Sequence, residues 1–337
     1  MDMTGRTIVA SGLRFPEGPV ALEDGSVLVV EMRGKTLTRV QPNGDKQVVA
    51  ELAGGPNGAA IGPDGRCYIC NNGGFDFKKV GSTMLPGIAP RDYTGGWIEA
   101  VDLTTGKSEV IYRNCGDIQL RGPNDLVFDQ YGGMWFSDTG KIMPRQRDRG
   151  AVFYASIDGS FIKQVIFPLD GPNGIGLSPD DRTLYVAESW SGRVWSYDIT
   201  GPGQIRKFTG PMPWERGRLL IGMGGYSLLD SLAIDSAGNV CVADIPYRGI
   251  TVISPEGKMI EQHAMPDNFV TNICFGGPAL RTAYITLSSV GQLISMPWPR
   301  AGHPLHCLNR HDRPDAFGSE IVGASRLRSR TSSRSRL

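Results

Sequence analysis

The sequence predicts an all-β protein folded as a six-bladed β-propeller, with four-stranded antiparallel blades around a central channel. A Gly-Pro-Asn phrase recurs along the chain, and each copy precedes an apolar stretch, a turn and a strand of β-branched or aromatic residues. A hairpin that recurs about every 40–65 residues is typical of a radial repeat. The 45 glycines and 23 prolines fit many short strands joined by tight turns.

The first strand of each blade is expected to start at one copy of the phrase. The sequence has Gly-Pro-Asn-Gly at 55–58 and 171–174 and Gly-Pro-Asn-Asp at 122–125, with looser versions elsewhere. The strands that follow carry small or apolar residues, which suits the crowded centre of a propeller. The six blades are therefore predicted to begin near residues 15, 55, 122, 171, 229 and 270.

The remaining strands follow from the turns between them. Short runs that end in glycine predict tight turns at 23–25, 63–65, 236–238 and 255–257. Strands farther from the axis are predicted at 36–40, 97–103, 152–157, 194–199 and 249–253. Three longer stretches, at 74–96, 141–149 and 202–226, lack clear alternation and are predicted to be lids or binding loops.

One propeller domain is expected to span residues 1–314. A length of 337 residues alone would suggest two domains, but a closed propeller accommodates such a chain as one. The last segment, 315–337, is rich in Arg and Ser and has little to bury, which predicts a disordered, solvated tail. A nucleic-acid or phosphorylation role is the alternative for that tail.

Composition argues against several kinds of partner. The formal net charge of +1 gives no field that would recruit nucleic acid or a membrane surface. No apolar run approaches the roughly 20 residues that span a bilayer. The first residues, MDMTGRTIVASG, lack the pattern of a secretion signal. A cytoplasmic protein without nucleic-acid or membrane partners is therefore expected.

The six cysteines are predicted to be reduced and mostly buried. Cys67 and Cys70 have the Cys-x-x-Cys spacing that redox and zinc sites also use. Both lie in a predicted strand, where residues three apart point to opposite faces and the two sulfurs diverge. No second pair of this spacing and no nearby histidine completes a zinc set.

One polar residue of each repeat occupies the same position, near the start of the strand closest to the axis. Equivalent positions of the six blades face the same mouth of the channel. Carboxylate and carboxamide oxygens from several blades form an all-oxygen set that suits a hard divalent cation, calcium before magnesium because the geometry is irregular. The residues at this position are Glu17, Asn57, Asn124, Asn173, Asp230 and Asn272.

The alternative is that these residues are ordinary turn formers. Asn and Asp after Gly-Pro commonly bond their own backbone. Glu17 argues against that interpretation for the whole set, because glutamate is a poor turn former. For Asn57 and Asn272 we expect hydrogen bonds to channel water rather than to a cation.

The motifs also carry a resemblance to a known family. The gluconolactonase/regucalcin (senescence marker protein) family is similar to this chain in the segments FPEGPV, GPNDLVFDQYGGMWFSDTG, GPNGIGLSPDDRTLYVAES, LLDSLAIDSAGNVCVAD and TNICFGGPALRTAYIT. The resemblance covers about residues 12–310. It implies a six-bladed propeller that holds one divalent cation at the channel mouth and hydrolyses sugar lactones.

The resemblance implies roles for individual residues. Glu17, Asn173 and Asp230 match the family's metal ligands. Asn124 matches an asparagine that binds the metal or contacts the substrate through it. Asp230 also matches the usual general base or nucleophile. Arg121 stands where the family often has a substrate-binding basic residue, and a surface arginine is the alternative for it.

Three functions are compatible with this site. The first is a metal-dependent lactonase acting on a small lactone or ester, with Ca²⁺ as the expected cation and Mg²⁺, Mn²⁺ and Zn²⁺ as the other candidates. The cation would be the Lewis acid, and Asp230 would activate water. The second is a phosphotriesterase, since the related diisopropylfluorophosphatases share the fold and the ligand pattern. The third is a non-catalytic propeller with a structural calcium ion.

Other catalytic arrangements find little support in the sequence. All four histidines follow residue 260, and none occupies the repeated axial position. Ser137 and Ser189 lack a nucleophile-elbow motif. Asp138, Glu188 and Asp244 end predicted second strands, where we expect them to stabilise the adjoining turns.

Overall fold

Six antiparallel sheets surround one axis in the computed structural model, which describes residues 5–81, 83–210, 212 and 217–310. Each sheet has four strands from the axis outward, and blade 4 carries one additional short strand. The innermost strands of consecutive blades pack side by side, and that of blade 6 packs against that of blade 1. The predicted six-bladed β-propeller is thus confirmed.

The first three blades follow the chain in order, and their strands are given from the axis outward. Blade 1 comprises Pro16–Ala21, Val27–Glu31, Thr36–Val40 and Lys46–Glu51. Blade 2 comprises Pro56–Ile61, Cys67–Asn71, Trp97–Val101 and Ser108–Tyr112. Blade 3 comprises Pro123–Phe128, Met134–Asp138, Gly150–Ala155 and Ile162–Leu169. A short hairpin of Asn114–Cys115 and Ile118–Gln119 connects blades 2 and 3.

The last three blades follow the same plan. Blade 4 comprises Pro172–Leu177, Thr183–Glu188, Arg193–Gly201 and, both paired with that third strand, Gln204–Ile205 and Arg218–Gly222. Blade 5 comprises Leu229–Ile234, Val240–Asp244, Gly249–Ile253 and Met259–Ala264. Blade 6 comprises Val270–Gly276, Thr282–Leu287, Gln292–Pro297 and Thr7–Ser11. A 3₁₀ turn at Pro278–Leu280 links the first two strands of blade 6.

The N-terminal strand closes the ring. Thr7–Ser11 pairs antiparallel with Gln292–Pro297 and forms the outermost strand of blade 6. One sheet therefore contains strands from near both ends of the described chain. Because the chain continues from this strand directly into blade 1, the pairing joins the last blade to the first.

The core lies between the blades, where both faces of each second strand are covered. The second strand of blade 2, Cys67–Asn71, is buried along its whole length. Cys67 packs in the cluster between blades 1 and 2, with Val20 and Leu28. Cys70 packs in the cluster between blades 2 and 3. The two sulfurs therefore point to opposite faces, as predicted, and none of the six cysteines, all within the described residues, forms a disulfide bond.

The mouth face is the face at which the innermost strands begin. Because neighbouring strands are antiparallel, loops from a second to a third strand lie on this face. Insertions 74–96 and 141–149 are such loops in blades 2 and 3, so both lie at the mouth. Insertion 74–96 also contains a hairpin of Phe77–Val80 and Thr83–Pro86, which its sequence did not predict.

The expectation for the third insertion, 202–226, is partly wrong. The third strand of blade 4 runs away from the mouth from Arg193 to Gly201, and the outermost strand returns from Arg218 to Gly222. The described residues between Gly201 and Arg218 therefore lie at the far end of the blade. Only the segment after Gly222 reaches the mouth.

Residues 302–310 cover the far end of the channel. Gly302 forms a β-bridge with Asp235 of blade 5, and His306 Nε2 lies 2.9 Å from Asp181 Oδ1 of blade 4. A cavity of about 100 Å³ lies along the axis, lined by the innermost strands and by this segment. His303 and His306 thus lie near the axis, although away from the repeated position.

The predicted end of the domain at residue 314 and the predicted tail at 315–337 fall outside the described residues. Across the part of the chain that the structure describes, none of the helical segments has the length and apolar character needed to traverse a bilayer.

Candidate functional site

A backbone irregularity near the start of every innermost strand turns one polar side chain toward the axis. The pairing register shifts between Glu17 and Val20 in blade 1, and between Pro172 and Ile175 in blade 4. In blades 2, 3 and 5 the shift spans the polar residue, and in blade 6 it lies just before Asn272. Such a bulge re-aims side chains relative to a regular strand. A bulge therefore accompanies the repeated position in every blade.

The glycine of the phrase lets neighbouring innermost strands approach each other. A Cβ atom on Gly18 would lie 2.4 Å from the Asn57 carbonyl oxygen of blade 2. A Cβ atom on Gly58 would lie 2.4 Å from the Asn124 carbonyl oxygen of blade 3. Side chains are too large for this contact, and glycine permits it. The close approach brings the polar residues of adjacent blades together at the mouth.

Gly174→Ala is expected to distort this arrangement. The new Cβ atom would lie 2.6 Å from Leu232 N and 2.8 Å from the Asp230 carbonyl oxygen, both backbone atoms of blade 5. Such overpacking should lower the free energy of unfolding by about 2–3 kcal/mol. The control is Gly222→Ala, where the new atom meets nothing within 4 Å. Equal urea midpoints for the two variants would contradict the prediction.

Glu17 and Asp230 interact across the channel mouth. Glu17 is 2% exposed, and Asp230 is half-buried. Burial raises the pKa of Glu17 well above its ordinary value, and the charge of Asp230 adds to the rise. Burial also raises the pKa of Asp230 to about 7, against a hydrogen bond from Asn173 that lowers it. Two carboxylates that repel each other in a site with little access to water favour bound protons or a cation.

The carboxamides lie beside these carboxylates. Asn173 Nδ2 donates to Ser189 Oγ at 3.1 Å, and Ser189 Oγ donates to the Leu229 carbonyl oxygen at 2.6 Å. This chain of bonds ties Asn173 to the strand that carries Asp230. Asn124 occupies the equivalent position in blade 3, and its buried Oδ1 has no hydrogen-bond partner.

Asp125 is a third carboxylate that the sequence analysis missed. It is buried beside Asn124, and its Oδ1 accepts a hydrogen bond from Leu126 N at 2.9 Å. Burial raises the pKa of Asp125 to about 7, and its charge raises that of Asp230. At this register the phrase has Gly18, Gly58 and Gly174 in other blades. The sequence signal for Asp125 is that a carboxylate stands where those blades have glycine.

The donor set fits a divalent cation. Glu17, Asp125 and Asp230 form none of the ion pairs found among the described residues, although their charges are mostly removed from water. The unpartnered Asn124 Oδ1 adds a neutral oxygen. Hard cations such as calcium prefer this mixture of carboxylate and carboxamide oxygens. Across the described ranges, no cluster of three or more His, Cys, Asp and Glu side chains in metal-binding arrangement is found, so carboxamides are needed to complete the set.

Asn57 and Asn272 share the repeated position, and the structure gives Asn272 a protein partner. Asn272 Nδ2 donates to Glu17 Oε2 at 3.3 Å, and its Oδ1 accepts from Ile273 N at 2.8 Å. Asn272 therefore orients Glu17, and its expected hydrogen bonds to channel water stay a prediction. Asn57 is buried at the corresponding place in blade 2.

Arg121 lies on the mouth face, directly before the phrase of blade 3. Its Nε donates to Asp148 Oδ2 at 2.9 Å, and its Nη1 donates to Gln119 Oε1 at 2.9 Å. The guanidinium group also lies 5.4 Å from the centre of the Tyr93 ring. Arg121 is thus held in a fixed orientation beside the strand that carries Asn124.

The acidic residues that end the second strands hold the connections between blades. Asp138 accepts hydrogen bonds from Arg121 N and Gly122 N, each at 2.7 Å. Glu188 accepts one from Asp170 N at 2.6 Å. Asp244 accepts one from the Ser227 hydroxyl at 3.0 Å. These contacts give the three residues the structural role expected of them.

Comparisons with known proteins agree with the fold and identify a family. A family model described as the SMP-30/Gluconolactonase/LRE-like region matches residues 15–289. The chain is 26% identical over 307 residues to a gluconolactonase of Zymomonas mobilis subsp. mobilis, covering 83% of this chain and 78% of that protein. It is 31% identical over 263 residues to lactonase drp35 of Staphylococcus saprophyticus, covering 77% and 72% respectively. A solved gluconolactonase structure from Xanthomonas campestris superposes with a TM-score of 0.68 at 20% identity, covering 87% of this chain and 89% of that one.

Proposed function

Because the chain belongs to the SMP-30/gluconolactonase/LRE-like family, we propose that it is a metal-dependent hydrolase that opens the ester bond of a lactone. The cation proposed is a single divalent ion, in the first place Ca²⁺, since the donors are all oxygen atoms. The ligands proposed are Glu17, Asn124, Asn173 and Asp230.

The observation that carries this proposal is the pair of interacting carboxylates Glu17 and Asp230 at the channel mouth, with the charge of Asp125 acting on Asp230. Burial raises the pKa of each of Glu17, Asp125 and Asp230, so each is costly to ionise in the cation-free protein. A bound divalent cation offsets that cost and also satisfies the unpartnered Oδ1 of Asn124. Related proteins named gluconolactonase and lactonase support a lactone as the substrate.

The reaction adds water across the ester C–O bond. A divalent cation in this site supplies a Lewis acid for the carbonyl group. Asp230 is half-buried, so water reaches it, and its carboxylate accepts a proton from the attacking water. The water oxygen bonds to the carbonyl carbon, the ring C–O bond breaks, and the ring oxygen leaves as an alcohol after taking up the proton that Asp230 accepted. The product is the open hydroxy acid.

Arg121 and Asn124 are proposed to contact the substrate. Arginine has five N–H donors, and in Arg121 those on Nε and Nη1 bond to Asp148 and Gln119. We assign the remaining donors of Arg121 to substrate oxygens. The Tyr93 ring, whose centre lies 5.4 Å from the guanidinium carbon, lies beside those donors.

Chelation is expected to abolish lactone hydrolysis. The EDTA-treated protein should lose at least about a hundredfold in kcat/KM, because the Lewis acid is removed. Activity is measured on glucono-δ-lactone and a panel of other lactones, before and after addition of Ca²⁺, Mg²⁺, Mn²⁺ or Zn²⁺. Circular dichroism at each step verifies that the chelated protein remains folded.

Each other outcome of that experiment favours a different interpretation. Activity that survives exhaustive chelation would contradict a metal-dependent mechanism. Faster cleavage of diisopropyl fluorophosphate than of every lactone would favour a phosphotriesterase at the same site. Thermal stability that depends on the cation, without turnover of any probe, would favour a propeller with a structural ion.

A further inference from the structure

Lys141 is a buried lysine at the rim of the candidate site. It opens insertion 141–149 of blade 3 and is 1% exposed. Its Nζ donates to the Asn72 carbonyl oxygen of blade 2 at 2.7 Å and lies 3.4 Å from Asn72 Oδ1. An ammonium group removed from water is costly unless its contacts compensate. The groups that contact the Lys141 amino group therefore show which segments it connects.

Two aromatic rings of insertion 74–96 complete the enclosure of Lys141. The Nζ atom lies 3.8 Å from the centre of the Phe75 ring and 5.1 Å from that of Tyr93. Both distances allow a cation–π attraction. Because Phe75 is near the start of the insertion and Tyr93 near its end, one ammonium group ties both ends to blade 3.

The insertion reaches the two sides of the candidate site. On one side the Tyr93 hydroxyl donates to the carbonyl oxygen of Arg121, three residues before Asn124. On the other side the Phe77 ring packs on Phe15 at 5.2 Å between ring centres. Phe15 lies two residues before Glu17. The segment that Lys141 holds thus spans the rim from blade 1 to blade 3.

The charged and titratable groups around Lys141 are Asp138, Asp148, Arg121 and Tyr93. Burial lowers the pKa of Lys141 to about 7, while the charge of Asp138 opposes that shift. Asp148 Oδ2 accepts hydrogen bonds from Lys141 N at 3.2 Å and from Arg121 Nε at 2.9 Å. Burial raises the pKa of Tyr93, which is neutral at physiological pH. Both carboxylates are thus engaged by backbone or arginine groups near the lysine.

We propose that Lys141 is a positioning residue at the channel mouth, because its ammonium group holds insertion 74–96 in place beside Arg121. The expected effect on turnover rests on the proposed lactonase function. The effect on the insertion itself does not depend on that function. Lys141 touches none of the proposed metal ligands in the contacts described above, so its replacement should leave cation binding intact.

The test replaces Lys141 with Met, an unbranched side chain one atom shorter that lacks the amino group and its charge. KM for glucono-δ-lactone should rise about tenfold with little change in kcat, because the substrate is held in a looser mouth. The matched control is Lys79→Met, since Lys79 is an exposed lysine of the same insertion. Calcium affinity measured by calorimetry should be equal in the wild type and both variants.

Hydrogen exchange of residues 76–95 gives a second readout that needs no substrate. Exchange should be faster in Lys141→Met than in the wild type and in Lys79→Met.

The outcomes separate this inference from the proposed function. A lower melting temperature with wild-type KM and wild-type exchange would overturn the positioning role and leave a structural one. Unchanged exchange in Lys141→Met would overturn it as well. If the wild type hydrolyses no lactone, the proposed function fails, and the exchange experiment alone decides the role of Lys141.

Discussion

Asp230→Asn is expected to retain the fold and to lower kcat/KM for lactones by at least about a thousandfold. The carboxamide has the size of the carboxylate, but it cannot accept the proton of the attacking water at neutral pH. The change also removes the charge that raises the pKa of Glu17. Steady-state hydrolysis of glucono-δ-lactone at saturating Ca²⁺ measures the effect.

The control for Asp230→Asn is the same substitution at an exposed position. Asp198 is exposed on the third strand of blade 4, and its side chain forms a long surface ion pair with Arg206 at 3.5 Å. Asp198→Asn should therefore retain wild-type activity. Wild-type activity in Asp230→Asn would remove Asp230 from the mechanism. Glu17→Gln provides a further comparison, because it removes a proposed ligand charge without removing the proposed base.

Isotope labelling distinguishes the two roles that Asp230 is able to take. If Asp230 is a general base, a single turnover in H₂¹⁸O places the label in the hydroxy acid. If Asp230 is a nucleophile, the first product carries an oxygen of the carboxylate, and the label enters Asp230 instead. Calorimetry on Asp230→Asn with Ca²⁺ then shows whether lost turnover reflects lost cation binding.

The innermost strands could be predicted from the sequence because their signals are local. Predicted starts near residues 55, 122 and 171 correspond to strands that begin at Pro56, Pro123 and Pro172. Proline is tolerated as the first residue of a strand, and the glycine of the phrase permits close approach of the next blade. The shared position of Glu17 and Asp230 follows from the same repeat.

Features that depend on distant parts of the chain could not be predicted in this way. Thr7–Ser11 pairs with a strand that lies about 280 residues later, and no local pattern indicates that partner. The burial of Lys141 depends on an insertion of another blade. Residues 202–226 resemble the other insertions in composition, yet strand direction places most of their described part at the far face. In each case contacts between residues far apart in the sequence determine the strand partner, the burial or the position of the loop.

Cation affinity is expected to fall as the pH is lowered from 8 to 6. In the cation-free protein, the pKa of Asp230 and of Asp125 is about 7, and that of Glu17 is also raised, so protons compete with the cation. One displaced proton from a group of pKa 7 weakens binding about tenfold over this range, and two weaken it about a hundredfold. Calorimetry with Ca²⁺ in buffers of different ionisation enthalpy counts the protons released.

The same raised pKa values make the stability of the cation-free protein fall as the pH rises, whereas cation affinity increases. A carboxylate whose pKa is raised by folding binds protons more tightly in the folded state, so its contribution to stability is present at low pH and is lost as the pH rises through about 7. The melting temperature of the EDTA-treated protein should therefore decrease from pH 5 to pH 8, and Ca²⁺ should restore it most strongly at pH 8. A melting temperature that rises over this range without cation would show that these carboxylates are not buried together as described.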